Sequence, residues 1–257
     1  MKVVILAGGL GTRMREETEY RPKPMVEIGD KPIIWHLMKQ LGQQGVVEFV
    51  LAIGYKGNLI KDFFINYRHR TADFTVELST SQVKMNSTLS SEKWKVTLAE
   101  TGALTLTGGR LFKLKKYLDK EKYFLVTYGD GLADIDLEAL VKFHLSHGKI
   151  ATVTAAQPTS RFGRLDIGTN DAVVKFAEKS KENDWVNAGF FVFNREIFDY
   201  LNEDSILERS PLEALVQQNE LMAFKHNGFW QPMDTIRESQ LLNDLWSQNI
   251  APWKNWA

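Results

Sequence analysis

Apolar positions along the chain follow two alternating periods. Short runs of β-branched and aromatic residues, typical of buried strands, are followed by stretches in which apolar residues recur every three or four positions, as they do in helices. The strand-like runs lie at 3–7, 49–53, 123–128 and 151–155, and the helical patterns lie at 33–41, 59–64 and 137–144. This alternation predicts βαβ units and a mainly parallel sheet.

Residues 73–106 break this alternation. Their β-forming residues alternate with Ser, Thr and Lys, and a polar stretch covers 87–93. The pattern predicts antiparallel strands in an inserted arm. Further short strands are expected within 161–193, and helices within 197–201, 211–218 and 236–246. We therefore expect a single domain over 1–257, with an α/β, Rossmann-like mixed sheet sandwiched by helices and a β arm at 73–106.

Composition narrows the classes of function. The 257 residues can bury a large core. Thirty-two basic and 32 acidic residues cancel, which argues against a nucleic-acid partner. The absence of cysteine excludes disulfides, thiolate metal sites and a cysteine nucleophile. No apolar segment approaches the roughly 20 residues of a membrane span, so we expect a cytoplasmic protein without a membrane partner.

A glycine-rich loop, "LAGGLGTRM" at 6–14, follows the first strand-like run directly. Gly8, Gly9 and Gly11 allow successive N–H groups to converge on one anion, and phosphate suits such a loop. Two common nucleotide motifs are disfavoured, because Met14 stands where G-x-G-x-x-G has its last glycine and no Gly-Lys-Ser/Thr follows. The alternative interpretation is a glycine-rich turn followed by a solvated basic loop.

Two cations follow the glycines. The Arg13 guanidinium can bind two phosphate oxygens at once through a bidentate pair of hydrogen bonds. Lys23 lies between Pro22 and Pro24, which stiffen the backbone and can hold its ammonium in place. These residues favour an anion-binding site.

Several spaced motifs carry a family resemblance. They are "LAGGLGTR", "RPKPMVEIGDKPIIWH", "TGGRL" at 107–111, "TYGDGLAD" at 127–134, "NAGFFVFN" at 187–194 and "GFWQPMDT" at 228–235. In this order they resemble the sugar-phosphate nucleotidyltransferases, most closely the glucose-1-phosphate cytidylyltransferase branch. The resemblance implies a glycosyltransferase-A-like fold, a homo-oligomer that is often a hexamer, and Mg²⁺-dependent transfer of CMP from CTP to glucose 1-phosphate, an early step of dideoxy-sugar and O-antigen biosynthesis.

The resemblance also implies roles for individual positions. Catalytic roles fall on Arg13, Lys23 and Asp130, and the Mg²⁺ ligands are Asp130 and Asp234. The sugar phosphate would be bound by Glu178, Lys179 and Asn187. The nucleotide-binding positions are Leu6, Ala7, Gly8, Gly9, Leu10, Gly11, Thr12, Arg13, Lys23, Thr105, Arg110 and Gly129.

The chain departs from the family pattern near the sugar residues. Ser180 and Ala188 stand where the family usually has proline and glycine, and Arg164 stands where a small residue is expected. Ser180 and Ala188 could change the local backbone, and Arg164 could either alter sugar preference or point into solvent.

Structural interpretations compete with these roles. Asp130 could be a turn residue, and Asp234 or Thr107 could cap a helix. His144 and His147 are interpreted as packing or surface histidines rather than metal ligands, and the C-terminal tryptophans as packing or subunit contacts.

Two competing functions remain open. The same chemistry could use UTP, dTTP or another sugar 1-phosphate. Alternatively, the protein could sense nucleotides or nucleotide sugars without turnover.

Overall fold

The computed structural model describes residues 1–86, 92–158, 164–167, 173–177 and 184–256, with the backbone alone for the third and fourth ranges. The strands are β1 Val3–Leu6, β2 Glu27–Ile28, β3 Lys31–Pro32, β4 Glu48–Ile53, β5 Phe74–Glu77, β6 Gln82–Met85, β7 Lys95–Glu100, β8 Tyr123–Tyr128, β9 Gly131–Ala133, β10 Ala151–Ala156, β11 Arg164–Ile167, β12 Val173–Ala177, β13 Val186–Asn194, β14 Leu221–His226 and β15 Trp230–Pro232. The helices are α1 Arg15–Thr18, α2 Ile33–Gln43, α3 Gly57–Ile65, α4 Tyr67–Thr71, α5 Thr107–Lys113, α6 Lys115–Leu118, α7 Leu137–His147, α8 Ser210–Gln217 and α9 Ile236–Ser247.

A seven-stranded sheet forms the centre of the molecule. Its strand order is β14-β10-β13-β8-β1-β4-β7. β13 pairs antiparallel with both β8 and β10, and the other neighbouring strands pair parallel. The predicted mixed, mainly parallel sheet is confirmed.

The central strand β1 is buried on both faces. Val3 and Ile5 pack in one apolar cluster with residues of α2, α7 and α9. Val4 and Leu6 point the other way, into a cluster with α5, α6 and α8. Burying each such side chain contributes about 1.5–3 kcal/mol. A strand in this position is expected to be continuously apolar, and β1 is.

The carboxyl edge of the sheet collects the loops that carry the predicted site. β1 and β8 are parallel neighbours with Leu6 opposite Tyr128, so the loops that follow them are adjacent. β15 pairs with β9 with Pro232 opposite Gly131. The Met233 N–H donates to the Asp130 carbonyl at 2.8 Å. Strand pairing therefore brings Asp234 beside Asp130.

The predicted arm at 73–106 is wrong in extent. Only β5 and β6 form a separate antiparallel hairpin. β7 instead joins the edge of the central sheet, parallel to β4. Most β7 side chains are partly or fully exposed, which explains why its sequence alternates like an antiparallel strand.

The predicted helices agree with the helices of the structure except in detail. The pattern at 197–201 is a 3₁₀ segment, Arg195–Tyr200, and the other predicted helices are present. Thr107 does not cap α5, because its hydroxyl accepts from the Leu207 N–H at 3.0 Å. Within the described ranges, no helix has the length and apolar character needed to cross a bilayer.

Candidate active site

A cavity of about 760 Å³ opens at the carboxyl edge of the sheet. Its walls come from the glycine loop, the 103–107 segment, the ends of β8 and β15, the start of β13 and the loop before α8. This volume suits a ligand of nucleotide size. Every predicted site residue whose side chain the structure describes lines this cavity.

The glycine loop presents free donors to the cavity. Among the described residues, the N–H groups of Gly9, Leu10 and Gly11 have no hydrogen-bond acceptor. Gly11 has φ +63°, a conformation that favours glycine. A Cβ at Gly9 would meet nothing within 4 Å, so this side of the loop is open. The loop can therefore receive an anion on its backbone donors.

Arg110 holds the glycine loop by a hydrogen bond to its backbone. Its guanidinium donates to the Gly8 carbonyl at 2.7 Å, the Thr101 hydroxyl at 2.6 Å and the Gly102 carbonyl at 2.8 Å. Burial lowers the pKa of this guanidinium, which is only 3% exposed. The Thr105 hydroxyl donates to the Thr101 carbonyl at 2.5 Å. Thr105 and Arg110, the two predicted nucleotide contacts, thus both line the cavity. The Arg110 guanidinium is already hydrogen-bonded to backbone carbonyls and to a threonine hydroxyl.

Lys23 lies between the two aspartates. Its ammonium donates to Asp130 Oδ2 at 2.6 Å and to Asp234 Oδ1. Burial alone would lower the pKa of Lys23, but the charges and hydrogen bonds of Asp130 and Asp234 outweigh it and raise that pKa. Arg13 Nη1 also donates to Asp234 Oδ2, at 2.5 Å. Two cations and two carboxylates thus form one network at the cavity.

The local chain explains how these side chains are held. Lys23 begins the 3₁₀ turn Lys23–Met25, which follows the extended Pro22, so Lys23 itself is not extended as its place before Pro24 predicted. Asp234 is not the helix cap, because the Thr235 hydroxyl accepts from the Glu238 N–H at 3.3 Å. The Asp234 carboxylate therefore remains available to the cavity.

The sugar side of the predicted site is described in part. Asn187 lines the cavity, and its Oδ1 accepts from the Gly189 N–H at 2.8 Å. Ala188 is buried, and its carbonyl accepts from Trp230 Nε1 at 2.9 Å. Glu178, Lys179 and Ser180 lie outside the described residues, as does the side chain of Arg164.

Sequence reasoning did not find Tyr128 and Glu208 as site residues. Tyr128 Oη donates to Glu208 Oε1, and the Thr107 hydroxyl donates to Glu208 Oε2 at 2.6 Å. Tyr128 directly precedes Gly129 and Asp130, so its position was a usable signal. Glu208 has no motif that could have indicated it.

The histidine interpretation is confirmed by contacts. His144 and His147 both bond the Thr152 hydroxyl, at 2.9 and 2.7 Å, and His144 also bonds Asn194. The pKa values of both histidines are lowered, chiefly by burial. These rings belong to the packing between α7 and β10.

The C-terminal tryptophans also pack. Trp246, Trp253 and Trp256 surround His36 with ring centroids 4.6–6.3 Å from its ring. Trp253 is fully buried. They belong to the protein core and its border.

The fold and the cavity together define a class: an α/β protein with a glycine loop, a buried lysine and two aspartates at the carboxyl edge of its sheet. The family pattern of the nucleotidyl transferases matches residues 2–235, and the chain belongs to this family.

Relatives and solved structures agree with this assignment. The glucose-1-phosphate cytidylyltransferases of Salmonella typhimurium and Salmonella typhi are each 48% identical to the chain, over 100% of both sequences. A crystal structure of apo UDP-glucose pyrophosphorylase matches with a TM-score of 0.68 at 17% identity, covering 96% of this chain and 98% of that one. The latter likeness shows the glycosyltransferase-A-like fold alone.

Proposed function

We propose that this enzyme is a glucose-1-phosphate cytidylyltransferase, which converts CTP and glucose 1-phosphate to CDP-glucose and pyrophosphate. The observation that carries the proposal is the full-length identity of 48% to the Salmonella enzymes of that name. The cavity supports it with groups suited to two phosphorylated substrates.

The chemistry requires charge compensation more than a base. The phosphate of a sugar phosphate has a second pKa of about 6, so its attacking oxygen is anionic at neutral pH. This oxygen forms a bond to the α-phosphorus while the bond to the β-phosphate oxygen breaks and its electron pair leaves with pyrophosphate. No proton needs to move in this step. The barrier comes from bringing two anions together, which positioned cations and dipoles lower.

The residues at the cavity have the charges this step needs. The free N–H groups of the glycine loop would bind the triphosphate together with Arg13. Lys23, buried and positively charged, would face the reacting phosphate. The exposed Arg13 side chain can leave Asp234 for the ligand without a large burial cost, because it is 74% exposed. We assign Arg13, Lys23 and Asp130 to catalysis on this basis.

The donor set fits magnesium. Asp130 and Asp234 provide hard oxygen ligands that converge on one ammonium, and Mg²⁺ usually takes one or two carboxylates besides water and substrate phosphates. Among the described residues, no group of three or more acidic or histidine side chains forms a denser metal site. When bound, the ion would add positive charge to offset the charge of the phosphates.

Different elements carry the residues assigned to the base and to the sugar. Thr105 and Arg110 line the cavity from the start of α5 and the segment before it, and Asn187 lines it from β13. We propose that the first two contact the nucleotide and that Asn187 contacts the sugar, with Glu178 and Lys179 completing the sugar contacts.

We propose further that the enzyme acts in the cytoplasm, where CTP is available. We also propose that it forms a homo-oligomer and supplies CDP-glucose for dideoxy-sugar and O-antigen biosynthesis.

Pyrophosphate release tests the function directly. The enzyme is incubated with glucose 1-phosphate and, separately, CTP, UTP and dTTP, each with Mg²⁺ and with excess EDTA. We expect turnover with CTP at least tenfold above the other nucleotides, and loss of turnover in EDTA. Equal turnover with all three nucleotides would reject the cytosine assignment, and full turnover in EDTA would reject the metal. No turnover under any condition would favour a nucleotide sensor.

A further inference from the structure

Glu208 places a third carboxylate in the cavity wall, outside the network in which Lys23 and Arg13 pair with Asp130 and Asp234. It lines the cavity from the loop before α8. Among the described residues, no lysine, arginine or histidine forms an ion pair with it. Its only partners there are two hydroxyl groups, those of Tyr128 and Thr107.

The hydrogen bonds around Glu208 have a fixed direction. A carboxylate only accepts, so the hydroxyls of Tyr128 and Thr107 must donate to it. The Tyr128 ring packs against Gly189, where a Cβ would lie 2.4 Å from Tyr128 Cδ2. The Gly189 N–H in turn donates to Asn187 Oδ1 at 2.8 Å.

Close backbone packing holds Glu208 in place. The Gly109 N–H donates to the Ser205 carbonyl at 3.0 Å. A Cβ at Gly109 would lie 2.1 Å from the Glu203 carbonyl oxygen, so the loop approaches α5 at a distance that only glycine permits. The two glycines of "TGGRL" thus allow the loop that carries Glu208 to pack closely against α5.

The charge of Glu208 indicates which part of a ligand it can face. A carboxylate would repel phosphate, whereas sugar hydroxyls are hydrogen-bond donors that it can accept. Two of its roughly four lone-pair sites are used by Tyr128 and Thr107, which leaves the others for a ligand. Thr107 joins Glu208 to the segment that carries Thr105, and Tyr128 packs against Gly189, whose N–H donates to Asn187 Oδ1. Glu208 therefore lies between these two parts of the cavity lining, within reach of the residues proposed for the hexose.

We infer that Glu208 is a specificity residue that accepts hydrogen bonds from hydroxyl groups of the hexose phosphate, and that Tyr128 is its positioning residue. The inference rests on the proposed function for the identity of the hexose. It adds a sugar contact that no sequence motif indicates.

Calorimetry with Glu208→Gln tests this assignment. The protein is loaded with Mg²⁺ and α,β-methylene CTP, which prevents transfer, and titrated with glucose 1-phosphate and its 2-, 3-, 4- and 6-deoxy analogues. We expect Glu208→Gln to weaken binding of glucose 1-phosphate by roughly tenfold to a hundredfold, the effect of a lost hydrogen bond to a charged group. At least one deoxy analogue should bind wild type and variant equally, since it lacks the hydroxyl that Glu208 accepts.

Matched variants separate specificity from structure. Glu203→Gln, in the same loop but outside the cavity wall, should bind every ligand like wild type. Tyr128→Phe should weaken glucose 1-phosphate while leaving affinity for the CTP analogue within about twofold. The assignment is overturned if Glu208→Gln loses the same factor in affinity for every deoxy analogue, or if it loses affinity only for the CTP analogue. It is also overturned if the wild-type protein binds no hexose phosphate. Pyrophosphate release with CTP is measured in a separate assay. If the nucleotide assignment is wrong, that assay fails, while the differences in affinity among the hexose phosphates remain.

Discussion

At the level of single residues, Lys23 is the centre of the site. It is 7% exposed, and its ammonium contacts both Asp130 and Asp234. Removing an ammonium from water is costly unless it is paired, and the two carboxylates offset that cost. Phosphate oxygens of a substrate would compete for the same ammonium. Binding of such a substrate would therefore be linked to release of the two carboxylates from Lys23.

Replacing Asp130 by asparagine tests this link. Asparagine keeps the shape of the side chain but removes a charge from the network with Lys23, so we expect turnover to fall by at least about a hundredfold. The melting temperature should change by only a few degrees. Steady-state pyrophosphate release and a thermal melt provide the two measurements. Asp30→Asn, at an exposed position outside the cavity, is the control and should retain wild-type turnover. A wild-type rate for Asp130→Asn would remove Asp130 from the catalytic assignment.

The predictability of the site differs among its residues. The glycine loop and Lys23 could be predicted because their chemistry is local: glycines, prolines and charges within one short segment. Asp234 could be assigned only through the family resemblance, since its approach to Asp130 depends on the pairing of β15 with β9. Glu208 could not be predicted, because its position depends on how the loop before α8 packs on α5.

At the level of elements, β7 shows the limit of pattern reasoning. An edge strand with one covered face alternates in the same way as an antiparallel strand, so its partner cannot be read from its own residues. β1 and β8 could be predicted because both faces of each are covered and their apolar runs are continuous. The parallel core of the fold was therefore predictable, and the course of residues 95–106 was not.

The packing around His36 joins several elements. His36 lies on α2, is fully buried, and its Nε2 contacts the Ile28 carbonyl at 2.9 Å. Its Nδ1 accepts from Trp253 Nε1 at 3.4 Å. These two bonds require a neutral ring with the proton on Nε2. The C-terminal segment is thus held on α2 by a histidine that must remain uncharged.

The pH dependence of unfolding tests this arrangement. Burial lowers the pKa of His36 from 6.5 to about 4. Between pH 6.5 and about 4, His36 is therefore protonated in the unfolded chain but stays neutral in the folded chain. The contribution to stability is complete above pH 6.5 and is lost as the pH falls towards 4. Between pH 7 and 4.5 it amounts to about 2–3 kcal/mol of unfolding free energy.

Urea unfolding at several pH values measures that contribution. A His36→Gln variant should be less stable than wild type at pH 7 but should lose less stability on acidification. His69→Gln, whose side chain is exposed, serves as the control and should follow wild type. An identical pH dependence in His36→Gln and wild type would contradict the assignment of this effect to His36.

At the level of the whole molecule, the β5–β6 hairpin has two unlike faces. Cross-strand pairing places Phe74 opposite Met85 and Val76 opposite Val83, which forms an apolar face. The other face carries Thr75 opposite Lys84 and a further polar pair. Phe74, Val76 and Val83 are each at least 39% exposed. A two-stranded hairpin is marginally stable on its own, so burial of this apolar face against a second copy of the chain would stabilise it.

Val76→Lys should therefore weaken the homo-oligomer that we propose. The substitution places a charge at the centre of the apolar face, where burial against another chain would be unfavourable. By light scattering at matched concentrations, wild type should show a multiple of the 29.4 kDa chain mass, and Val76→Lys should shift towards that mass. Thr75→Lys adds the same charge to the neighbouring position on the polar face and should leave the assembly unchanged. A wild type that is monomeric at all concentrations would refute the oligomer. An unchanged assembly in Val76→Lys would instead place the subunit contact elsewhere, because the two substitutions differ only in the face of the hairpin that receives the charge.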